Sequence, residues 1–302
     1  MKLVNQMIAT TLPLIPKSVV GYFSQRYIAG ETLADAIKVS RQIQRDGACV
    51  TLDVLGEHIT RNDEATAYAN QYLELLDAIQ SEKLDANVSL KPTQMGLKLD
   101  RSFCRDTIAK IAEKTKQNDN FVRIDMEDIS CTDDTLWLYE DLKKEYPVGT
   151  VIQACLRRTD ADVDQLINLN ANLRLCKGIY VEPYAAAYKD REIIRQNYLH
   201  ILERLLTAGC YTGIATHDEM LVWGALRIIK KLNLKPDRYE FQMLLGVQEE
   251  LRKVILKAGH KLRVYIPFGA HWYAYSVRRL KENPQIAGYV MENILRRMAG
   301  KK

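Results

Sequence analysis

Short apolar runs recur along the chain and alternate with segments of helical periodicity. Eight such runs occur, and they are Ala48–Leu52, Asn87–Lys91, Phe121–Glu127, Thr150–Leu156, Leu173–Tyr180, Thr212–His217, Tyr239–Leu244 and Leu262–Pro267. Their first residues lie 23 to 39 positions apart, close to the spacing of about 30 residues that eight repeats give in a barrel of about 250 residues. Strands that alternate with helices favour parallel pairing through right-handed crossovers. We therefore predict an α/β fold, a (β/α)8 barrel of the TIM type.

The segments between these runs have apolar residues at helical spacing. Helices are predicted over Asp63–Ile79, Asp160–Asn168, Glu219–Leu232 and Glu249–Ala258. Thr60 and Asn62 are candidate N-caps of the first helix, and Gly259 is a candidate C-cap of the last. An open, doubly wound sheet is the competing architecture. We rank it lower because no GxGxxG motif follows the first run.

A further helical pattern, Thr32–Arg45, precedes the first strand. We predict that residues 1–45 form a helical extension packed on the barrel and that residues 46–302 form the catalytic barrel itself.

Charge is distributed unevenly over the 302 residues, whose net charge is +5. Residues 1–45 carry +4, residues 278–302 carry +5, and the middle of the chain is therefore at −4. No basic stripe is interleaved with stacking aromatics, so we predict no nucleic-acid partner. The basic ends suit peripheral contact with an anionic membrane surface at the inner face of the cell membrane. The alternative is that they are ordinary solvated helix faces.

The cysteines give no sign of a metal site or a disulfide framework. Six are present, at positions 49, 104, 131, 155, 176 and 210, and none forms a CxxC pair. We predict a cytoplasmic protein with reduced thiols and no metal. The N-terminal 20 residues lack a small-x-small cleavage site, so we read no signal peptide there.

Polar side chains gather at the carboxyl ends of the predicted strands. They are Lys91, Asp125, Gln153, Lys177, Thr216 with His217, and Tyr265. In barrels of this type the active site forms at that face. Burying ionisable groups is costly, so a purely structural barrel has no reason to place them there. This pattern favours an enzyme.

The last helical segment contains two adjacent arginines in the sequence AYSVRRLKEN. Tyr275, Arg278 and Glu282 share one helix face, and Arg279 lies four residues after Tyr275. A guanidinium binds a carboxylate through two hydrogen bonds, so this pair suits an anionic substrate near the barrel mouth. The alternative is a solvated pair in which Glu282 is an ordinary ion-pair partner.

Arg174 is unusual because it lies inside an apolar strand, between two leucines. An arginine that points into a barrel needs a negative partner or a π system, which a cofactor with phosphates or an electron-accepting ring supplies. Gly178, directly after Lys177, lets a ligand approach the backbone closely.

These residues lie in motifs that resemble the monofunctional bacterial proline dehydrogenases. The motifs are VSLKPTQMG (88–96), RIDMED (123–128), IQACLRRT (152–159), RLCKGIYVEP (174–183), ATHDE (215–219), YEFQMLLG (239–246) and RVYIPFGAHWYAYSVRRLKEN (263–283). The resemblance implies a (β/α)8 flavoenzyme with FAD. It further implies oxidation of L-proline to 1-pyrroline-5-carboxylate, with hydride passing from C5 to flavin N5 and electrons to a quinone. This reaction is the first step of proline catabolism to glutamate, which suggests functional coupling to a 1-pyrroline-5-carboxylate dehydrogenase.

The same resemblance assigns roles to individual residues. Asp125 and Arg174 are implied as catalytic, and Glu57 as a gate that pairs with a substrate arginine. The implied substrate-binding residues are Lys91, Arg278, Arg279, Tyr265, Tyr275 and Leu244. The implied cofactor-binding residues are Met126, Gln153, Lys177, Gly178, Ile179, Thr216 and His217. Pro92, Leu245 and Ile179 depart from the family pattern, but none of them removes a charged group.

Three other functions are open at this point. A class I aldolase would use Lys91 or Lys177 as a Schiff-base nucleophile, but it leaves Arg174 and the arginine pair less constrained. A non-catalytic barrel would bind proline without turnover. A scaffold gives no reason for the polar strand ends.

Overall fold

Eight parallel strands form a closed barrel in which each strand pairs with its neighbours in chain order. A computed structural model describes residues 20, 21, 24, 26–56, 59–273 and 275–277. The strands are β1 Cys49–Val54, β2 Ala86–Leu90, β3 Val122–Ile124, β4 Val148–Gln153, β5 Leu173–Cys176, β6 Thr212–Ala215, β7 Tyr239–Leu244 and β8 Leu262–Phe268. The barrel closes where β1 pairs with β8. The predicted α/β fold and its TIM-type (β/α)8 barrel are thus confirmed.

Helices follow the strands and cover the outside of the barrel. Those in the described residues are α1 Leu33–Arg45, α2 Asn62–Ser81, α3 Arg101–Gln117, α4 Thr132–Leu142, α5 Thr159–Asn168, α6 Arg191–Thr207, α7 Glu219–Lys231 and α8 Glu249–Lys257. Short 3₁₀ turns lie at Pro92–Met95, Ile129–Cys131 and Pro236–Arg238. No helix of the described residues is long and apolar enough to cross a membrane.

The helix α1 precedes the barrel in sequence and packs against β8 and β1. Thr32 caps it, since the Thr32 hydroxyl accepts the Asp35 N–H and the Asp35 carboxylate accepts the Thr32 N–H. Its buried residues include Ala36 and Ile43, which join the hydrophobic core. The helix therefore covers the joint at which the barrel closes. The division at residues 45 and 46 stays a prediction.

Two details of the predicted elements need correction. Thr60 and Asn62 do not cap α2. Instead, the Glu64 carboxylate accepts the backbone N–H groups of Thr60 and Arg61. Several strands also end earlier than the apolar runs: β3, for example, ends at Ile124. The prediction for Gly259 is confirmed, since its φ of 83° follows the end of α8 in the left-handed region.

The two faces of the strands differ in chemistry. Apolar residues such as Leu52, Leu90 and Ile124 face the helices and are fully buried. Residues next to them in sequence point to the opposite face. Arg174 of β5 donates to Gln242 of β7 and to Asp125, directly after β3. These strands are not neighbours, so the contacts must cross the barrel interior. The interior is therefore polar and the outer layer apolar.

Candidate active site

A buried cluster around Arg174 occupies the barrel interior. The Arg174 Nη1 lies 2.6 Å from Asp125 Oδ1, and its Nε donates to Gln242 Oε1 at 2.6 Å. Asp125 also accepts hydrogen bonds from the Ser89 hydroxyl at 2.7 Å and from the Tyr265 hydroxyl at 3.0 Å. Each buried charge therefore has a partner of opposite charge together with polar neighbours, as buried ions require.

The Tyr265 ring lies beneath the same guanidinium. The Arg174 Cζ is 5.1 Å from the ring centroid, within range of a cation–π interaction. Burial raises the pKa of Tyr265 well above its usual range, and the nearby Asp125 carboxylate raises it further. The phenol therefore stays protonated and serves Asp125 as a hydrogen-bond donor.

A second buried ion pair joins β1 to the loop after β2. Lys91 Nζ lies 2.8 Å from Asp53 Oδ2, and the Asp53 side chain is fully buried. The Tyr72 hydroxyl donates to the other Asp53 oxygen at 3.2 Å. Burial raises the pKa of Asp53, and Lys91 opposes that effect. The pair holds the Lys91 ammonium directly after β2, at the face where barrels of this type form their active sites.

The ends of β3 and β4 meet through Gln153. Its Nε2 donates to the backbone carbonyl of Glu127 at 2.9 Å. The Glu127 carboxylate in turn accepts from the backbone and hydroxyl of Thr93. Met126 is buried between Asp125 and Glu127 along the chain. The loop after β3 is therefore fixed beside Gln153, and Met126 is held with it.

The segment after β5 turns sharply at Gly178. Its φ is 97°, which an L side chain rarely adopts. A Cβ at Gly178 would lie 2.2 Å from Cys155 Sγ and 3.2 Å from Gln153 Oε1. The next residue, Ile179, is 52% exposed. The chain therefore passes closely over the end of β4 and then turns outward.

The ends of β6 and β7 are held together by His217. The His217 Nε2 accepts the backbone N–H of Leu244 at 2.8 Å. The hydroxyl of Thr216 accepts the backbone N–H of Asp218 at 3.1 Å. These two bonds set the turn between β6 and α7 and place Leu244, which is half-buried, at the rim of the barrel.

Asp218 forms ion pairs with Lys177 and Arg195 at this rim. Its carboxylate lies 3.2 Å from Lys177 Nζ and accepts from Arg195 Nε at 2.9 Å, and its side chain also caps α7. Burial raises the pKa of Asp218, but the hydrogen bonds from Arg195 and Lys177 outweigh burial and hold it at about 2. Because Asp218 stays ionised, it fixes the position of Lys177.

Tyr275 is also placed near the barrel mouth. It is buried and packs with Leu55, directly after β1, and with Ile28. The hydroxyls of Ser24 and Ser276 are 2.7 Å apart, and Trp272 Nε1 donates to Glu31 at 2.7 Å. The residues before α1 therefore hold the turn that carries Tyr275. Glu57, Arg278, Arg279 and Glu282, which the sequence also singled out, lie outside the described residues.

Several buried polar residues near the site were not predicted. Asp53, Ser89 and Gln242 contact predicted site residues directly. Arg123 and Glu240 lie deeper in the interior. The signal that could have found them is a charged or amide side chain within an otherwise apolar run, as in CVTLDV of β1.

Comparison with known proteins agrees with this geometry. A family model described as proline dehydrogenase matches residues 36–292. Proline dehydrogenase 1 of Bacillus subtilis subsp. natto is 36% identical over 275 residues, which cover 91% of each chain. The proline dehydrogenase of Deinococcus radiodurans is 35% identical and covered to 90%, as is this chain. The chain belongs to the proline dehydrogenase family. It catalyses the oxidation of proline, the first step of proline catabolism, as the resemblance in its motifs implied.

Solved structures show the same relationship for the fold. Proline utilization A from Bdellovibrio bacteriovorus, inactivated by N-propargylglycine, superimposes with a TM-score of 0.81 at 27% identity. The match covers 86% of this chain but 32% of that larger protein. Proline dehydrogenases are flavin-dependent enzymes. Membership of this family therefore excludes the aldolase, the non-catalytic binding barrel and the scaffold.

Proposed function

We propose that this proline dehydrogenase binds FAD and L-proline together over the Asp125–Arg174 cluster and yields 1-pyrroline-5-carboxylate. The observation that carries the proposal is a guanidinium, 8% exposed, held under the barrel mouth by Asp125 and Gln242. Such a preorganised cation stabilises negative charge that develops on a neighbouring group during reaction. We assign that role to Arg174, and we assign Asp125 to holding Arg174 in place.

The rim of the barrel has features that fit FAD. A side chain at Gly178 would collide with Cys155, so the glycine leaves room for close approach of a ligand to the backbone. Cationic, amide, hydroxyl and imidazole side chains lie at the ends of the neighbouring strands β4, β5 and β6, and these are groups that suit a dinucleotide with phosphates and a polar ring system. The residues proposed to hold FAD are Met126, Gln153, Lys177, Gly178, Ile179, Thr216 and His217. A flavin held by these residues would supply, at its N5 atom, the acceptor for the hydride that leaves C5 of proline.

Proline is proposed to bind through its carboxylate and its ring. Lys91, Arg278 and Arg279 supply the cations for the carboxylate. Tyr265, Tyr275 and Leu244 surround the ring, and Glu57 closes the site by pairing with a substrate-binding arginine. The burial of Tyr275 against Leu55 and the half-buried position of Leu244 support a partly apolar ring pocket.

The proposed carboxylate clamp also acts on the amine of proline. Hydride can leave C5 only while the nitrogen lone pair is available, so the amine must have lost its extra proton. Cations near the carboxylate disfavour a second positive charge close by and so lower the pKa of the bound amine. They also orient C5, and orientation of this kind supplies up to about 7–11 kcal/mol of a reaction barrier.

The electrons are proposed to pass from the reduced enzyme to a quinone. Since quinones are lipid-soluble, a cytoplasmic enzyme would meet its acceptor through peripheral contact with the inner face of the cell membrane. The net charges of +4 and +5 at the two ends of the chain support such a contact. We further propose functional coupling to a 1-pyrroline-5-carboxylate dehydrogenase, which consumes the product.

The test is anaerobic mixing of the purified enzyme with L-proline while the flavin absorbance is followed. We expect a yellow protein that bleaches.

Arg279→Met should raise the KM for proline at least about tenfold, the effect of losing about 1.4 kcal/mol of binding, with the flavin retained. Arg227→Met, at an exposed arginine stacked on Trp223, is the matched control and should leave the KM unchanged. A normal KM in Arg279→Met would refute the clamp.

A further inference from the structure

The side chain of Gln242 lies between an anion and a cation in the barrel interior. Its Nε2 donates to Glu240 Oε1 at 2.7 Å, and its Oε1 accepts from Arg174 Nε at 2.6 Å. An amide has one donating and one accepting end. Rotation by 180° would turn the NH₂ group toward the guanidinium and the oxygen toward the carboxylate, and both contacts would become repulsive. The two charges therefore fix the orientation of the amide.

Glu240 is itself firmly anchored. It accepts from Arg263 Nε at 2.7 Å and from the Tyr211 hydroxyl at 2.9 Å, and Arg263 Nη1 donates to the backbone carbonyl of Val50 at 2.7 Å. Burial raises the pKa of Glu240, but Arg263, Lys261 and the hydrogen bond from Gln242 together outweigh burial and hold it at about 2. Glu240 thus remains a carboxylate and a constant acceptor for the amide.

The strand between Arg174 and Gln242 leaves room for their contact. Gly213 of β6 pairs with Arg174 on one side and with Glu240 on the other. A Cβ at Gly213 would lie 2.4 Å from Gln242 Nε2. A glycine at this inward position is therefore needed if the amide is to lie where it does.

We propose that Gln242 is a positioning residue for proline oxidation. Its amide is held by Glu240 and in turn holds the Arg174 guanidinium in place. The inference rests on the proposed catalytic role of Arg174. In the described part of the chain, the hydrogen bonds of Arg174 use Nε and Nη1 and leave Nη2 for a bound ligand. With Asp125 on one side and Gln242 on the other, the guanidinium cannot rotate about its stem.

The test is the rate of flavin reduction by saturating L-proline under anaerobic conditions. Gln242→Met keeps the side-chain length and removes both hydrogen bonds. We expect reduction to slow at least about tenfold, since a misplacement of about 1 Å can cost about 100-fold. The KM for proline and the flavin absorbance should change little, because Gln242 binds Glu240 and Arg174 and is not one of the cations of the proposed carboxylate clamp. Gln165→Met, which removes a similar hydrogen bond from exposed Gln165 of α5 to Glu140 of α4, is the matched control, and its flavin should be reduced at the wild-type rate.

A double-mutant cycle with Arg174→Met separates the possible failures. If Gln242 acts through Arg174, the double variant should be no slower than Arg174→Met alone, within about twofold. Multiplicative losses would overturn the proposal, as would a normal rate in Gln242→Met when Arg174→Met is slow. A wild-type rate in Arg174→Met would instead overturn the proposed role of Arg174.

If Gln242→Met does not fold, Gly213→Ala keeps both side chains and displaces the amide. Slow reduction then supports the positioning role, and a normal rate contradicts it.

Discussion

Several charged side chains inside the barrel occur in ion pairs, and the pairing decides what a substitution costs. Asp125 lies with Arg174, Asp53 with Lys91 and Glu240 with Arg263. Removing one member of a buried pair leaves the other charge uncompensated, whereas removing both is often neutral. The interior therefore depends on each pair remaining complete, even where the pair adds little net stability.

Asp53→Asn tests this dependence on a pair that the sequence analysis missed. The substitution preserves the volume and removes the buried carboxylate that lies 2.8 Å from the Lys91 ammonium. We expect the free energy of unfolding, measured by urea denaturation of the enzyme, to fall by about 3 kcal/mol. Adding Lys91→Met to this variant should restore a large part of the loss, because the buried ammonium is then removed together with its carboxylate partner.

The control for Asp53→Asn is Glu203→Gln, which removes a surface partner. The Lys231–Glu203 pair is 69% and 39% exposed at its two side chains, so its loss should be barely measurable. Equal losses in the two variants would contradict the argument that burial sets the cost.

At the scale of elements, sequence periodicity was sufficient to predict the order of strands and helices. It was not sufficient to predict which strand side chains line the barrel interior. The eight runs correspond to β1–β8, and helices occur where helical spacing predicted them. Period-2 alternation does not say which face of a strand points into a barrel. Lys91 and Asp125 were found because they follow strands, whereas Asp53 and Gln242 lie within strands and were overlooked. Their partners depend on contacts across the barrel, which no local pattern encodes.

Asp218 shows how one side chain joins several elements. It caps α7, lies 3.2 Å from Lys177 after β5 and accepts from Arg195 of α6. Its pKa in the folded protein is about 2, below its ordinary value of 3.8. A lowered pKa contributes stability that is present above pH 4 and is lost as the pH falls toward 2.

Asp218→Asn isolates this charge because asparagine caps helices as well as aspartate does. We expect the variant to be less stable than the wild type by about 2 kcal/mol at pH 7. The difference should shrink between pH 4 and pH 3, because Asp218 begins to protonate in the unfolded wild type. Urea denaturation at pH 7, 5, 4 and 3 measures it. A difference that stays constant down to pH 3 would show that the Asp218 charge is not its source.

At the scale of the whole molecule, the two basic ends flank a barrel region with net charge −4. Attraction to an anionic surface adds up to about 1 kcal/mol for each lysine or arginine close to it. The C-terminal end alone supplies +5, enough for reversible binding if these residues reach the surface together. We therefore expect flotation of the enzyme with liposomes that contain anionic phospholipid, and its loss in liposomes of phosphatidylcholine alone.

Replacing four C-terminal bases by glutamine tests whether that end carries the binding. The bases are Arg296, Arg297, Lys301 and Lys302. The matched control makes the same change at four exposed lysines of the barrel region, Lys230, Lys231, Lys235 and Lys253. Both variants lose four positive charges, so net charge alone predicts equal effects. If the C-terminal end itself carries the binding, flotation should fall several-fold only in the C-terminal variant.

Raising the salt should weaken wild-type flotation, since the Debye length shrinks from about 10 Å at 0.1 M to about 3 Å at 1 M. Flotation that depends on neither salt nor lipid charge would contradict the electrostatic account of membrane contact.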